Sequence, residues 1–130
     1  MANTDNLVSF VSAEAITEYA IVSLNAAGKV VVTTAATDEK VVGVAQRACA
    51  SGESVEVLVS GITRVIAGES ITFSSSPILS ATTAGKVQPC GSGDTTFYPI
   101  ARVIPNINQI SALAGDQIKV LFVGPTSLNT

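Results

Sequence analysis

The chain has 130 residues, of which 47% are hydrophobic and only 13% charged, and its net charge is −3. That is the length of one domain, and a mean hydropathy of +0.48 gives it enough apolar surface to offset the entropy of folding, which excludes a disordered segment. The seven Lys and Arg stand singly, with no basic stripe to neutralise a run of phosphates, and no apolar run is long enough to cross a bilayer; neither nucleic acid nor membrane is expected as a partner.

The N-terminus, MANTDN leading into LVSFVS, lacks the basic start and continuous apolar core of a signal peptide, so synthesis and folding in a cytoplasm are expected. Residues 1–12 read as an N-terminal arm ahead of a single β domain over 13–130; the alternative is that Leu7, Phe10 and Val11 form the inward face of a first strand. Residues 20–32 predict a hairpin, with Val22 and Leu24 on one face and Asn25 to Gly28 supplying the reversal before Val30 and Val32. Residues 45–51 (AQRACAS) read as a strand end followed by a loop, and ESVEVLVSG (53–61) as a strand. Residues 62–82 are expected to carry the chain onward, with Ser74, Ser75 and Ser76 a polar loop before Pro77. Pro99 and Pro105 bracket IARVI, which predicts a sheet edge or bulge there. QIKVLFVG (117–124) is the last strand, before a short tail. Short alternating runs broken by Gly and Asn turns give an all-β fold, a compact single-domain β-barrel or β-sandwich.

Sliding the second half over the first reveals a degenerate repeat. AAGKV (26–30) matches TAGKV (83–87), VGVAQR (42–47) matches YPIARV (98–103), and SGESVEVLVSG (51–61) matches AGDQIKVLFVG (114–124). In the last pair Gly52, Glu53, Val55, Val57, Leu58 and Gly61 align with Gly115, Asp116, Ile118, Val120, Leu121 and Gly124, so turn glycine, acid and strand phase recur together. The halves are placed at about 20–61 and 68–124, closing on one another because neither can bury its apolar face alone.

Chemistry has little to work with. The absence of histidine rules out imidazole as base, shuttle or ligand within this chain, and no G-x-S-x-G or S-x-x-K pattern surrounds a serine. Paired acids suffice for glycoside hydrolysis, and Asp38 with Glu39, Glu53 with Glu56, and Asp94 alone are the candidates for that role. Asp38 and Glu39 form a charged turn with Lys40, while Glu53 and Asp116 follow turn glycines, ordinary places for solvated acids. No Asp-rich spacing suits a hard cation, GSGD (91–94) is a turn, and no glycine pattern cradles phosphate. Without Trp, a stacking platform would rest on Tyr19, Tyr98 or the four Phe, which more often fill cores and interfaces. Cys49 and Cys90, far apart and without zinc spacing, suit buried reduced thiols, a disulfide being the alternative. No catalytic residue, cofactor or metal is assigned, and the chain is expected not to be an enzyme.

The chain resembles the capsid cement (head decoration) proteins of tailed bacteriophages. The likeness is carried by AIVSLNAAGKVVVTT (20–34), by KVVGVAQRACASGESVEVLVSG (40–61) with Gly43, Val44 and Ala45 ahead of Gly52 and Glu53, and then by AGESI (67–71), TTAGKV (82–87), IARV (100–103) and AGDQIKVLFVG (114–124). It covers most of residues 16–124; Tyr98-Pro99 and the additional INQIS stretch (107–111) depart from the family pattern. The resemblance implies a structural virion protein on the outer surface of the capsid, binding the major capsid protein and itself, as a trimer or dimer, and stabilising the shell. Low charge and many small residues suit such packing, since little charge must be desolvated. The contact residues expected are Leu7, Val8 and Phe10 in the N-terminal arm. The competing readings are a tail or fibre-base adaptor and a carbohydrate-binding β module.

Overall fold

Turn residues interrupt every apolar run within a few positions, so the chain folds as short antiparallel strands rather than helices. A computed structural model describes residues 6–36, 40–74, 77–90, 98–105 and 108–124. Residues 1–5, the turn acids Asp38 and Glu39, Ser75 and Ser76, the GSGD turn and the tail from 125 lie outside the described residues.

Strands β1 (Leu7–Val11), β2 (Ile21–Leu24), β3 (Val30–Val32), β4 (Val41–Ala45) and β5 (Ser54–Leu58) form one sheet in the order β1-β5-β4-β2-β3. Strands β6 (Gly61–Ile66), β8 (Ile78–Ala81), β9 (Val87–Pro89), β10 (Ala101–Val103) and β12 (Gln117–Phe122) form a second, in the order β6-β12-β10-β8-β9. The short pair β7 (Ile71–Thr72) and β11 (Ser111–Ala112) completes the set. Position for position the two orders are the same topology, traced once by each half of the chain.

The equivalence extends to single bonds. Leu58 faces Leu7 on one side and Val44 on the other, as Leu121 faces Ile62 and Arg102. The Gly52 amide donates to Ser12 O at 3.0 Å and the Gly115 amide to Ala67 O at 2.8 Å. Each sheet also curls until the residue after its first strand bridges in parallel to the start of its third, Ser12 to Val30 and Ala67 to Val87. The expected hairpin is present as β2 and β3, with Asn25 Oδ1 accepting the amides of Ala27 and Lys29 across its turn.

Four expectations need correction. The repeat unit begins earlier than residues 20 and 68: β6 is an integral strand of the second half rather than a connection, and β1 is its counterpart. SAEAI (12–16) against AGESI (67–71) is the sequence signal that marks this earlier start. The middle block aligns Val42–Ala45 with Ile100–Val103, two residues away from the match read from the sequence, because Gly43 and Ala101 are the residues opposite Val22 and Leu79. IARVI is not at an edge: β10 lies mid-sheet, with Pro99 and Pro105 outside its ends, so no ladder donor is lost. Finally, residues 7–11 are no free arm but a strand paired along its length with β5.

The apolar interior has two parts. Val22, Val30, Ala45, Val55 and Val57 fill the first half, with Phe10 packed against them. Their counterparts Leu79, Val87, Val103, Ile118 and Val120 fill the second, where the cluster extends across the boundary to Ile21, Val41 and Val44 on the other face of the first sheet. Full burial of each of these Val, Leu and Ile side chains contributes roughly 1.5–3 kcal/mol relative to exposure. The halves therefore share one seam and form a single sandwich-like domain of two curled sheets; no closed barrel forms.

Candidate interaction surfaces

The acids singled out in the sequence serve the backbone. Glu53 Oε1 accepts the Ala50 amide at 2.8 Å and Asp116 Oδ2 accepts the Leu113 amide at 2.9 Å, the same three-residue turn closed twice. Glu56 pairs with Arg47 at 2.8 Å, and Arg47 Nη2 also donates to Ser54 O. The hydrogen bond from Arg47 holds the Glu56 carboxyl below its ordinary range, and the same bond raises the guanidinium above its own. Cys49 and Cys90 are buried and not joined in a disulfide. Among the described residues no three His, Cys, Asp or Glu come together as metal ligands.

The expected contact residues fall on β1, and their environments differ. Leu7 and Val8 are each 41% exposed, whereas Phe10 is half-buried and belongs to the interior of the first half. An apolar edge strand that keeps its side chains in solvent is a surface ready for association. Leu7 and Val8 are accessible for that purpose; Phe10 anchors the strand that presents them.

A second feature arises where the repeats differ in length. The chain passes from β4 to Cys49 directly, but the corresponding stretch between β10 and β11 contains the additional residues that include INQIS. This insertion and the segment after β7 line a groove of about 570 Å³, walled by Phe73, Pro105 and Ile110 and edged by Thr72, Gln109 and Ser111. Hydroxyl and amide groups are its polar functions, and none of the described lining residues is an acid or a base.

The third surface is the outer face of the second sheet. Ile62, Leu121 and Arg102 lie side by side in one row, Arg64 faces Lys119 in the next, and Val123 continues the face along β12. Ile62 is 61% and Val123 53% exposed.

No protein-family model matches this chain, and no curated protein does. Its fold is similar to that of a bacteriophage head-fibre base. The crystal structure of the head fibre gp8.5 N base of bacteriophage phi29 superposes with a TM-score of 0.65 over 93% of this chain and 98% of that one, at 16% sequence identity. The likeness thus takes in both halves and the seam between them. At that identity it is a likeness of fold, and the surface chemistry described above belongs to this chain alone.

The sequence singles out Leu7, Val8 and Phe10 by the change from polar MANTDN to LVSFVS, and the structure places the first two in solvent and the third against the interior. The outer face of the second sheet was missed. Its signal is an alternation in which the solvent side is not uniformly polar: Ile62 and Arg64 alternate with buried Thr63 and Val65, and Lys119, Leu121 and Val123 with buried Val120 and Phe122.

Proposed function

We propose that this chain is a structural virion protein of a tailed bacteriophage, a cement protein that binds the outer surface of the major capsid shell and stabilises it, and that acts as a dimer or trimer. The observation that carries this reading is the whole-length likeness in fold to a protein named as a phage head-fibre base, which agrees with the resemblance of residues 16–124 to capsid cement proteins. Physical reasoning supports it. A low-charge β domain with exposed Leu7 and Val8 gains little from one contact, but many copies bridging neighbouring shell subunits raise the cost of separating any of them. Leu7 and Val8 are the proposed shell contacts. The same fold likeness favours a second reading, a base on which a head fibre is seated.

Quantifying the chain against the major capsid protein in purified virions separates these readings. Copies of the same order as the shell protein are expected; a few tens per particle would favour the fibre base, and absence from particles would overturn both. In the same preparation, Leu7→Asp with Val8→Asp is expected to leave a folded protein that is lost from heads on washing, whereas full retention would move the contact elsewhere.

A further inference from the structure

We propose that the outer edge of β1 takes up an extended segment of the capsid shell protein as an added strand, so that backbone hydrogen bonds seat the chain on the head together with the side chains of Leu7 and Val8. This rests on the functional reading above and gives its partner a form. Two bonds fix which backbone groups of β1 are used: Asn6 O accepts the Val59 amide at 2.8 Å and Glu53 O the Ser12 amide at 2.9 Å, and between them the register of β1 on β5 is unbroken. In an antiparallel pair such bonds recur at every second residue. Val8 and Phe10 therefore turn their N–H and C=O groups to β5, while Leu7 and Ser9 turn theirs away. No strand lies beyond β1 among the described residues.

The other ends of the two large sheets are closed or blunted. At β3, Val30 O accepts the Ala13 amide at 2.9 Å and Glu14 Oε2 accepts the Val32 amide at 2.7 Å, so the segment after β1 covers that edge. At β9, Val87 O accepts the Gly68 amide at 2.7 Å, and the next outward position is Pro89, which has no N–H to offer. β6, the counterpart of β1, carries Arg64 at its middle, where a charge discourages a further strand. β1 has Ser9 at that position and no charged residue from Leu7 to Val11. A row of outward N–H and C=O groups is complementary to the backbone of another strand. Leu7 and Val11 are exposed on one face of β1 and Val8 on the other, which selects an added strand that is uncharged and apolar on both of its faces. The shell protein is the source of that strand because Leu7 and Val8, the proposed shell contacts, lie on this same edge.

The test uses the full chain, variants shown by circular dichroism to be folded, and purified heads stripped of this protein. Ser9→Pro removes an outward N–H and sets a ring in the path of an added strand, yet keeps the ladder to β5 and both Leu7 and Val8. It is expected to weaken binding to heads by about tenfold or more, while Ser9→Ala binds as the wild type does. Hydrogen exchange of the wild type reads the same edge without a variant, and decides the matter should Ser9→Pro fail to fold. The amides of Leu7 and Ser9 are expected to exchange quickly in the free chain and about tenfold or more slowly on heads, whereas those of Val8 and Phe10 are slow in both. Ser9→Pro retained like the wild type, or Leu7 and Ser9 amides unchanged on heads, would overturn strand addition and leave the functional reading standing. Slowing of those amides in the free chain as its concentration rises to about 100 μM would assign the edge to a second copy and overturn the proposal too. A wild type that does not bind heads at all would overturn the functional reading, and this proposal with it.

Discussion

Gly28 and Gly85 occupy the same place in two copies of one hairpin and share a left-handed φ, of +77° and +70°. One lies in open solvent and the other against the backbone of Ile21, where a methyl group would sit only 3.0 Å from its neighbours. The pair shows how a duplicated chain becomes one domain: a left-handed glycine is retained in each turn, and one copy is then also needed at the seam. The same divergence separates Gly43 from Ala101, Ser23 from Ser80 and Glu56 from Lys119.

The largest contrast is expected at Gly43 and Ala101. A Cβ at Gly43 would lie 2.3 Å from Leu58 O and 2.5 Å from Val57 Cγ1, beside a bulge that leaves Val42 unpaired opposite β2. Gly43→Ala is expected to cost about 3 kcal/mol or to prevent folding, while Ala101→Gly costs only about 0.5–1 kcal/mol. Urea denaturation measures both, and equal effects would show that the halves tolerate strain alike. Next come the hairpin glycines. Either alanine variant meets the left-handed backbone penalty, about 1–2 kcal/mol, but Gly85→Ala must also displace the seam, for a total of about 2–4 kcal/mol. Thermal melts of the two variants should therefore separate clearly.

A smaller contrast concerns the buried serines. Ser23 Oγ and Thr33 Oγ1 are 2.6 Å apart, whereas Cys90 takes the place of Thr33 in the second half and Ser80 Oγ has no hydrogen-bond partner among the described residues. Ser23→Ala is expected to destabilise by about 1–2 kcal/mol, and Ser80→Ala to be neutral or stabilising by up to about 1 kcal/mol. The smallest effect belongs to Glu56, whose exposed pair with Arg47 has no counterpart where Lys119 meets Arg64. Its carboxyl is held low in the folded protein, so its contribution is full above the ordinary carboxylate range and is lost as the pH falls through the folded value. Glu56→Gln should flatten that part of the stability curve measured between neutral and acidic pH, with little change elsewhere.

The repeat was legible where chemistry constrains identity. A turn glycine with positive φ followed by an acid that closes the turn cannot be replaced freely, so SGE and AGD, and AAGKV and TAGKV, survive as visible matches. The middle block was misaligned by two residues because side chains alternate with period two, and a shift of two keeps every residue on the same face. β1 and β6 were not recognised as counterparts because LVSFV and GITRVI share a role at the rim of a sheet but not a burial pattern, β1 keeping most of its side chains in solvent while β6 buries Thr63 and Val65.

By itself, then, the sequence determined the all-β class, the first hairpin, the duplicated turns and the lack of imidazole chemistry, since each depends on local backbone preference or on residue types present in the chain. Only the tertiary structure decided which of two equivalent faces is buried. Val44 and Arg102 hold the same register position, but one is covered by the other half and one is left open, because covering a face depends on how the halves dock and not on the pattern within either. Within the first half, the pairing of β1 with β5 placed Phe10 against the interior and left Leu7 and Val8 in solvent, a difference that the apolar run LVSFV does not show by itself.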